Sequence, residues 1–164
     1  MPAAPHHTPT ASDALVIFGI TGDLAKRMTL QSLYRLDAAG LLKVPVIGVA
    51  VDHWTHEQLR DHARSCVQGA GITIDEEVFA RFAERLSYVA GDFADEATYE
   101  RLKTTVGAAT APTFYLEVPP SLFGTVVGGL AKAGVTANAR VVVEKPFGHD
   151  QASASALAEE LHRY

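Results

Sequence analysis

The amino-acid sequence predicts an α/β fold, a doubly wound parallel sheet of the Rossmann-like kind in three α-β-α layers, and three observations carry that prediction. Short apolar runs alternate with stretches of helical periodicity along the chain, the pattern of strands joined by crossover helices. The runs are apolar at consecutive positions, which suits strands covered on both faces. The first of them, Leu15-Val16-Ile17-Phe18, leads into Gly19-Ile20-Thr21-Gly22 and then into a helical pattern. That is the order of strand, loop and helix at a nucleotide-binding corner.

Composition bounds what the chain can do. Its 164 residues fit one domain of the usual size of about 100–200 residues. We expect residues 13–164 to form that domain and residues 1–12 to be a disordered tail. Pro2, Pro5 and Pro9 stand there among His6, His7, Thr8 and Thr10, without the apolar core of a signal peptide or the length of a membrane span. A formal net charge of −5 with acids and bases interspersed gives no basic face, so no nucleic-acid partner is expected, and no membrane partner either. Cys66 is the single cysteine, so no internal disulfide forms, and no Cys/His group has zinc-ligand spacing. A reducing, cytoplasmic setting and no metal site are expected.

The glycine loop comes first. Gly19 and Gly22 lack a Cβ, so the backbone there can take positive φ and bring its N–H groups close to a ligand. At the head of a helix those donors and the positive end of the helix dipole attract an anion such as a pyrophosphate. The spacing is G-x-x-G-x-x-A, with Ala25 small enough for close helix–sheet packing. The first helix is expected from Asp23 to Ala39, stopped by Gly40, with Asp23 suited to the helix N-terminus as a cap.

The second strand is expected within Val44–Val51, with Pro45 near its start, and Asp52 follows it. At that place an acid can accept hydrogen bonds from adenosine ribose hydroxyls, whereas an arginine would pair with a 2′-phosphate; Asp52 can equally be a loop acid. Thr55–Gln68 reads as a helix opened by a capping box between Thr55 and Gln58. His53, His56 and His62 match no ligand set and are assigned to its solvated face. After Gly69-Ala70-Gly71 a further helix is expected from Asp75 to Arg85, with Val78, Phe79 and Phe82 on one face.

Leu86–Ala90 is the third expected strand. Asp92 and Phe93 follow its carboxyl end, where they can approach the adenine end of a coenzyme, or Asp92 can simply hold the turn. A helix over Ala94–Val106, a strand over Thr113–Leu116, a helix over Ser121–Ala133 after Pro119-Pro120, and a strand over Ala139–Val143 complete the pattern. Lys145 stands at the same strand-end edge as the glycine loop, where it can reach a phosphate or a substrate hydroxyl as a mobile point charge. A last helix is expected from Asp150 onward, and the strand order is expected to be 3-2-1-4-5.

Three segments taken together resemble the N-terminal coenzyme domain of the glucose-6-phosphate dehydrogenase family. They are Gly19-Ile20-Thr21-Gly22-Asp23-Leu24-Ala25-Lys26-Arg27, Tyr115-Leu116-Glu117-Val118-Pro119-Pro120 and Glu144-Lys145-Pro146-Phe147-Gly148. The resemblance implies oxidation of the C1 hydroxyl of glucose 6-phosphate to a lactone, in the pentose phosphate route, with hydride passing to a nicotinamide coenzyme. It places the pyrophosphate on Gly19, Ile20, Thr21, Gly22, Asp23, Leu24 and Lys26, and adds Pro119 to the coenzyme site. Lys145 is implied to contact substrate and coenzyme near the point of hydride transfer. NADP is the expected coenzyme, with NAD as its competitor.

The sequence departs from the family pattern in ways that matter. Val51 and Asp52 stand where an arginine often pairs with the 2′-phosphate, Met28 replaces a common basic residue, and Gln31 replaces a frequent proline. The family's general-base histidine segment and its large C-terminal domain, from which oligomer contacts are expected, are not found in these residues. The chain by itself is therefore expected to bind coenzyme and to be inactive. A non-catalytic nucleotide-binding module is the alternative. A short-chain reductase is disfavoured because no Tyr-x-x-x-Lys pair is present.

Overall fold

The structure is a computed structural model and describes residues 10–144 and Glu159. Lys145, the segment after it and the expected last helix lie outside the described residues, as does most of the expected N-terminal tail.

Five strands form one sheet: β1 (Ala14–Phe18), β2 (Val46–Ala50), β3 (Leu86–Ala90), β4 (Pro112–Leu116) and β5 (Arg140–Val143). Every pairing is parallel and the order is β3-β2-β1-β4-β5, as expected. The helices are α1 (Leu30–Ala38), α2 (His56–Gly69), α3 (Glu76–Arg85), α4 (Glu96–Val106) and α5 (Phe123–Ala133). α1, α2 and α3 cover one face of the sheet, in a core that contains Ile17, Ile20, Leu30, Leu59 and Phe82. α4 and α5 cover the other, packing on Val16, Phe18, Ile47 and Phe114. Successive residues of β1 thus enter opposite cores, which is why its run had to be apolar throughout. Each fully buried Leu, Ile or Phe contributes about 1.5–3 kcal/mol to holding the layers together.

Local signals act where the sequence places them. Thr55 N–H donates to Gln58 Oε1 at 2.8 Å and Gln58 N–H to Thr55 Oγ1 at 3.2 Å, the reciprocal capping box that starts α2. Asp75 caps α3 by accepting from the amides of Glu77 and Val78. Two elements differ from expectation. The first helix begins at Asp23, as expected, but winds as a π-helix over Ala25–Thr29 before α1; no side chain caps the π segment, and Asp23 is exposed. α5 is preceded by a 3₁₀ turn, Pro120–Leu122, because Pro119 and Pro120 hold the chain in extended and then tight geometry. Among the described residues no helix is long and apolar enough to cross a membrane.

Candidate functional site

All five strands run the same way, so their carboxyl ends share one edge of the sheet. The segments Gly19–Gly22, Val51–Asp52, Gly91–Asp92, Glu117–Pro119 and Glu144 are therefore neighbours along that edge. Between β1 and β4 the connections leave in opposite directions, and this switch point is where open α/β sheets bind ligands. The loop after β1 and Glu117 after β4 flank it.

Gly19 is dictated by that crevice. Its φ is +85°, and a Cβ placed on it would lie 2.2 Å from the Glu117 carbonyl oxygen. Only a residue without a side chain lets β1 and β4 close up here. The amide of Gly19 donates to Val49 O at 2.8 Å and that of Glu117 to Phe18 O at 2.9 Å, so the sheet ladder holds both loops beyond the strands. Gly22 N–H then turns back on Gly19 O at 2.9 Å, and Gly22 and Asp23 are exposed. Lys26 N–H donates to Gly22 O at 3.1 Å and closes the first turn, so the amides ahead of it stand at the head of a helix, where such donors suit an anion.

The other expected residues fall into three groups. Thr21 and Asp52 come together: Thr21 Oγ1 donates to Asp52 Oδ2 at 2.5 Å, joining the loop to the end of β2. Tyr88 Oη donates to Asp52 O at 2.6 Å and anchors that loop from β3. Ile20 and Phe93 turn inward. Ile20 is fully buried over Gly48, where a Cβ would stand 2.6 Å from Ile20 Cγ2, and Phe93 packs edge-on to Phe18 at 5.6 Å. Only the backbone of either faces the edge. Asp92 and Pro119 are exposed at it, and the carboxylate of Asp92 accepts from Ala94 N at 2.7 Å, so it also holds its own turn.

Two features were not read from the sequence. Glu117 is half-buried; Thr29 Oγ1 donates to its Oε1, while its Oε2 is buried without a hydrogen-bond partner. Burial raises its carboxyl to about 7, and the nearby Glu144 charge pushes the same way. Tyr115 Oη donates to Glu144 Oε1, so β4 supports the residue that precedes Lys145. The signal for Glu117 was a carboxylate directly after an otherwise apolar strand. The second feature is a cleft of about 610 Å³ between the turn at Lys26 and α2. His62 lies in it, half-buried with its ring 4.9 Å from that of Trp54, and so is not on a solvated face. His56 is also engaged, its Nδ1 accepting from Tyr88 N at 2.8 Å.

The family profile described as glucose-6-phosphate dehydrogenase, NAD binding domain, matches residues 16–164. The chain belongs to the glucose-6-phosphate dehydrogenase family. The part of the family it represents is that NAD binding domain. Its sequence is 50% identical over 151 residues to glucose-6-phosphate 1-dehydrogenase 1 of Mycobacterium tuberculosis, covering 92% of this chain and 32% of the relative. The crystal structure of glucose-6-phosphate 1-dehydrogenase from Mycobacterium avium superposes with a TM-score of 0.90 at 51% identity, over 93% of this chain and 33% of that one. A glucose-6-phosphate dehydrogenase in complex with its substrate glucose 6-phosphate gives 0.81 at 32% identity, over 93% and 34%. The chain thus spans about a third of the length of these dehydrogenases. Within the family's NAD binding domain, the glycine loop, Asp52 and Glu144 lie at the carboxyl-end edge of the sheet.

Proposed function

We propose that this chain supplies the coenzyme-binding part of a glucose-6-phosphate dehydrogenase, which oxidises the C1 hydroxyl of glucose 6-phosphate to a lactone with NADP as hydride acceptor. The observation that carries the reading is the convergence at one sheet edge of the Gly19–Gly22 loop, the Thr21–Asp52 pair and Glu144, the residue before Lys145. The residues present suit a dinucleotide. The loop's exposed glycine and open amides fit a pyrophosphate, and Asp52 fits a ribose hydroxyl.

In this reading Gly19, Ile20, Thr21, Gly22, Asp23 and Leu24 hold the pyrophosphate, Ile20 through its backbone alone because its side chain is in the core. Lys26 adds positive charge behind them. Asp92 and the backbone of Phe93 border the adenine, and Pro119 borders the nicotinamide half. When bound, the nicotinamide ring accepts the hydride. Lys145, two residues after β5 in the sequence, orients the sugar against it as a point charge. A general base must take the C1 hydroxyl proton as the hydride leaves. His53, His56 and His62 all lie on the α2 side of the sheet, away from β4 and β5, so none serves. Substrate walls, the base and subunit contacts fall to parts of a longer protein. A reducing, cytoplasmic setting fits the one cysteine, Cys66, which is buried and free.

The experiment is a chimera in which this chain replaces the matching third of the Mycobacterium tuberculosis relative. A folded chimera should reduce NADP at the expense of glucose 6-phosphate, and Lys145→Ala within it should lower turnover more than coenzyme affinity. A folded chimera that binds coenzyme but never turns over would overturn the dehydrogenase assignment. The chain alone should show coenzyme binding with negligible turnover.

A further inference from the structure

NADP differs from NAD by a phosphate dianion on the adenosine 2′-oxygen, and in this type of fold an arginine after the second strand commonly receives it. Here that place holds Val51, 57% exposed and uncharged, followed by Asp52. The carboxylate of Asp52 already faces the loop, accepting from Thr21 Oγ1 at 2.5 Å. A carboxylate beside a dianion is repulsive, so the compensating cation has to come from another element.

One cationic group adjoins this position. Lys26 and Arg27, on the turn behind the glycine loop, line the cleft of about 610 Å³ whose opposite wall is α2, with His62, Ser65 and Cys66. Neither cation forms an ion pair with a carboxylate among the described residues. His62 on that cleft's α2 wall is near enough to Lys26 and to Asp52 to feel the charges of both. Trp54, two residues after Asp52, packs against His62 with ring centroids 4.9 Å apart, which brings the segment after β2 up to the α2 wall of the cleft. Burial, with Lys26 next, lowers the His62 pKa, so at neutral pH this residue offers a hydrogen-bonding ring and not a charge. The Cys66 thiol, 3.6 Å from His62 Nε2, is raised by its burial and stays protonated.

We propose that Lys26 and Arg27 receive the adenosine 2′-phosphate of NADP at the mouth of the α1–α2 cleft, in place of an arginine after β2. This rests on the coenzyme reading above and adds the residues by which the chain recognises the phosphorylated coenzyme. A lysine and an arginine from the turn behind the loop replace one arginine after β2, and Asp52 remains alongside as the acceptor for the ribose of NAD. The chain therefore accommodates both coenzymes, with the 2′-phosphate held by charge.

Calorimetric titration of NADP, NAD and inorganic phosphate into the 164-residue chain tests this. The variants are the double change Lys26→Met with Arg27→Met, and separately Ser65→Glu, which puts an anion on the exposed α2 wall of the same cleft. In both variants NADP affinity should fall about tenfold or more beyond any fall in NAD affinity, the scale of a lost charge-assisted contact, since the charge Lys26 lends to the pyrophosphate is lost to both coenzymes alike. Inorganic phosphate should compete with NADP and not with NAD. Equal weakening of NADP and NAD by the double variant, with no effect of Ser65→Glu, would place these cations at the pyrophosphate shared by both coenzymes and overturn the assignment. If neither coenzyme binds the folded wild-type chain, the coenzyme reading itself fails and this proposal with it.

Discussion

Gly19 and Glu117 meet just beyond the β1–β4 ladder that joins the two halves of the sheet. The Glu117 carbonyl occupies the space a Gly19 side chain would need, and the Gly19 φ of +85° is one an L-residue adopts only under strain. Gly19→Ala should destabilise the chain by at least about 1–3 kcal/mol from backbone strain alone, with the 2.2 Å approach adding to it. Urea unfolding measures the loss, and an unchanged midpoint would contradict the geometry. The Glu117 side chain makes a different prediction. Burial raises its carboxyl from 4.5 to about 7 in the folded chain. Below pH 4.5 both folded and unfolded states keep the proton. Between 4.5 and 7 the unfolded chain ionises first, so this group's contribution to stability declines as pH rises, and above 7 it is constant at its lowest. Glu117→Gln should remove that decline and leave the variant more stable than the wild type at pH 8, in unfolding curves taken from pH 4.5 to 8. A wild type whose stability does not fall over that window, relative to the variant, would show that Glu117 ionises normally.

At the scale of elements, close contacts decide what each helix tolerates. Gly129 of α5 faces the ring of Tyr99 on α4, and a Cβ there would come within 2.3 Å of it. Alanine favours a helix over glycine by about 1 kcal/mol, but overpacking a buried ring costs about 1–3 kcal/mol. Gly129→Ala should therefore lower the melting temperature despite the better propensity; a rise would mean that α4 and α5 can separate freely. On the other face, the fully buried Asp37 of α1 accepts from Arg81 at 2.5 Å and Arg85 at 2.7 Å, both from α3. Asp37→Asn should cost about 1.5–3 kcal/mol by urea unfolding, as loss of charge-assisted bonds at a helix contact. The strands, the capping box at Thr55 and the stop at Gly40 were legible because each is encoded in adjacent residues. The Asp37 clamp was not, since its partners lie 44 and 48 residues away and come together only when α1 and α3 pack. Nor was the π-helical turn at Ala25–Thr29, which is a matter of backbone winding with no residue signature.

For the molecule as a whole, the doubly wound sheet was readable because continuous apolar runs leave few alternatives to a buried parallel sheet, and parallel crossovers keep one hand. That topology by itself put Gly19, Asp52, Asp92 and Glu117 on one edge. It could not show which of their side chains face it: Ile20 and Phe93 turned into the core, while Glu117, separated from Thr29 by 88 residues, acquired its burial from the approach of the turn behind the loop. The cleft between Lys26 and His62 was likewise a property of packing, since neither residue belongs to a motif shared with the other. In the proposed function the β1–loop–α1 corner holds a nicotinamide coenzyme. Amide NMR spectra recorded while NADP is titrated into the chain test it most directly. The shifts should saturate and concentrate on Gly19–Ala25, Asp52 and Glu117–Val118, with α3 and the outer face of α4 unmoved. Saturable shifts confined to other surfaces, or none in a spectrum that shows a folded chain, would contradict the account.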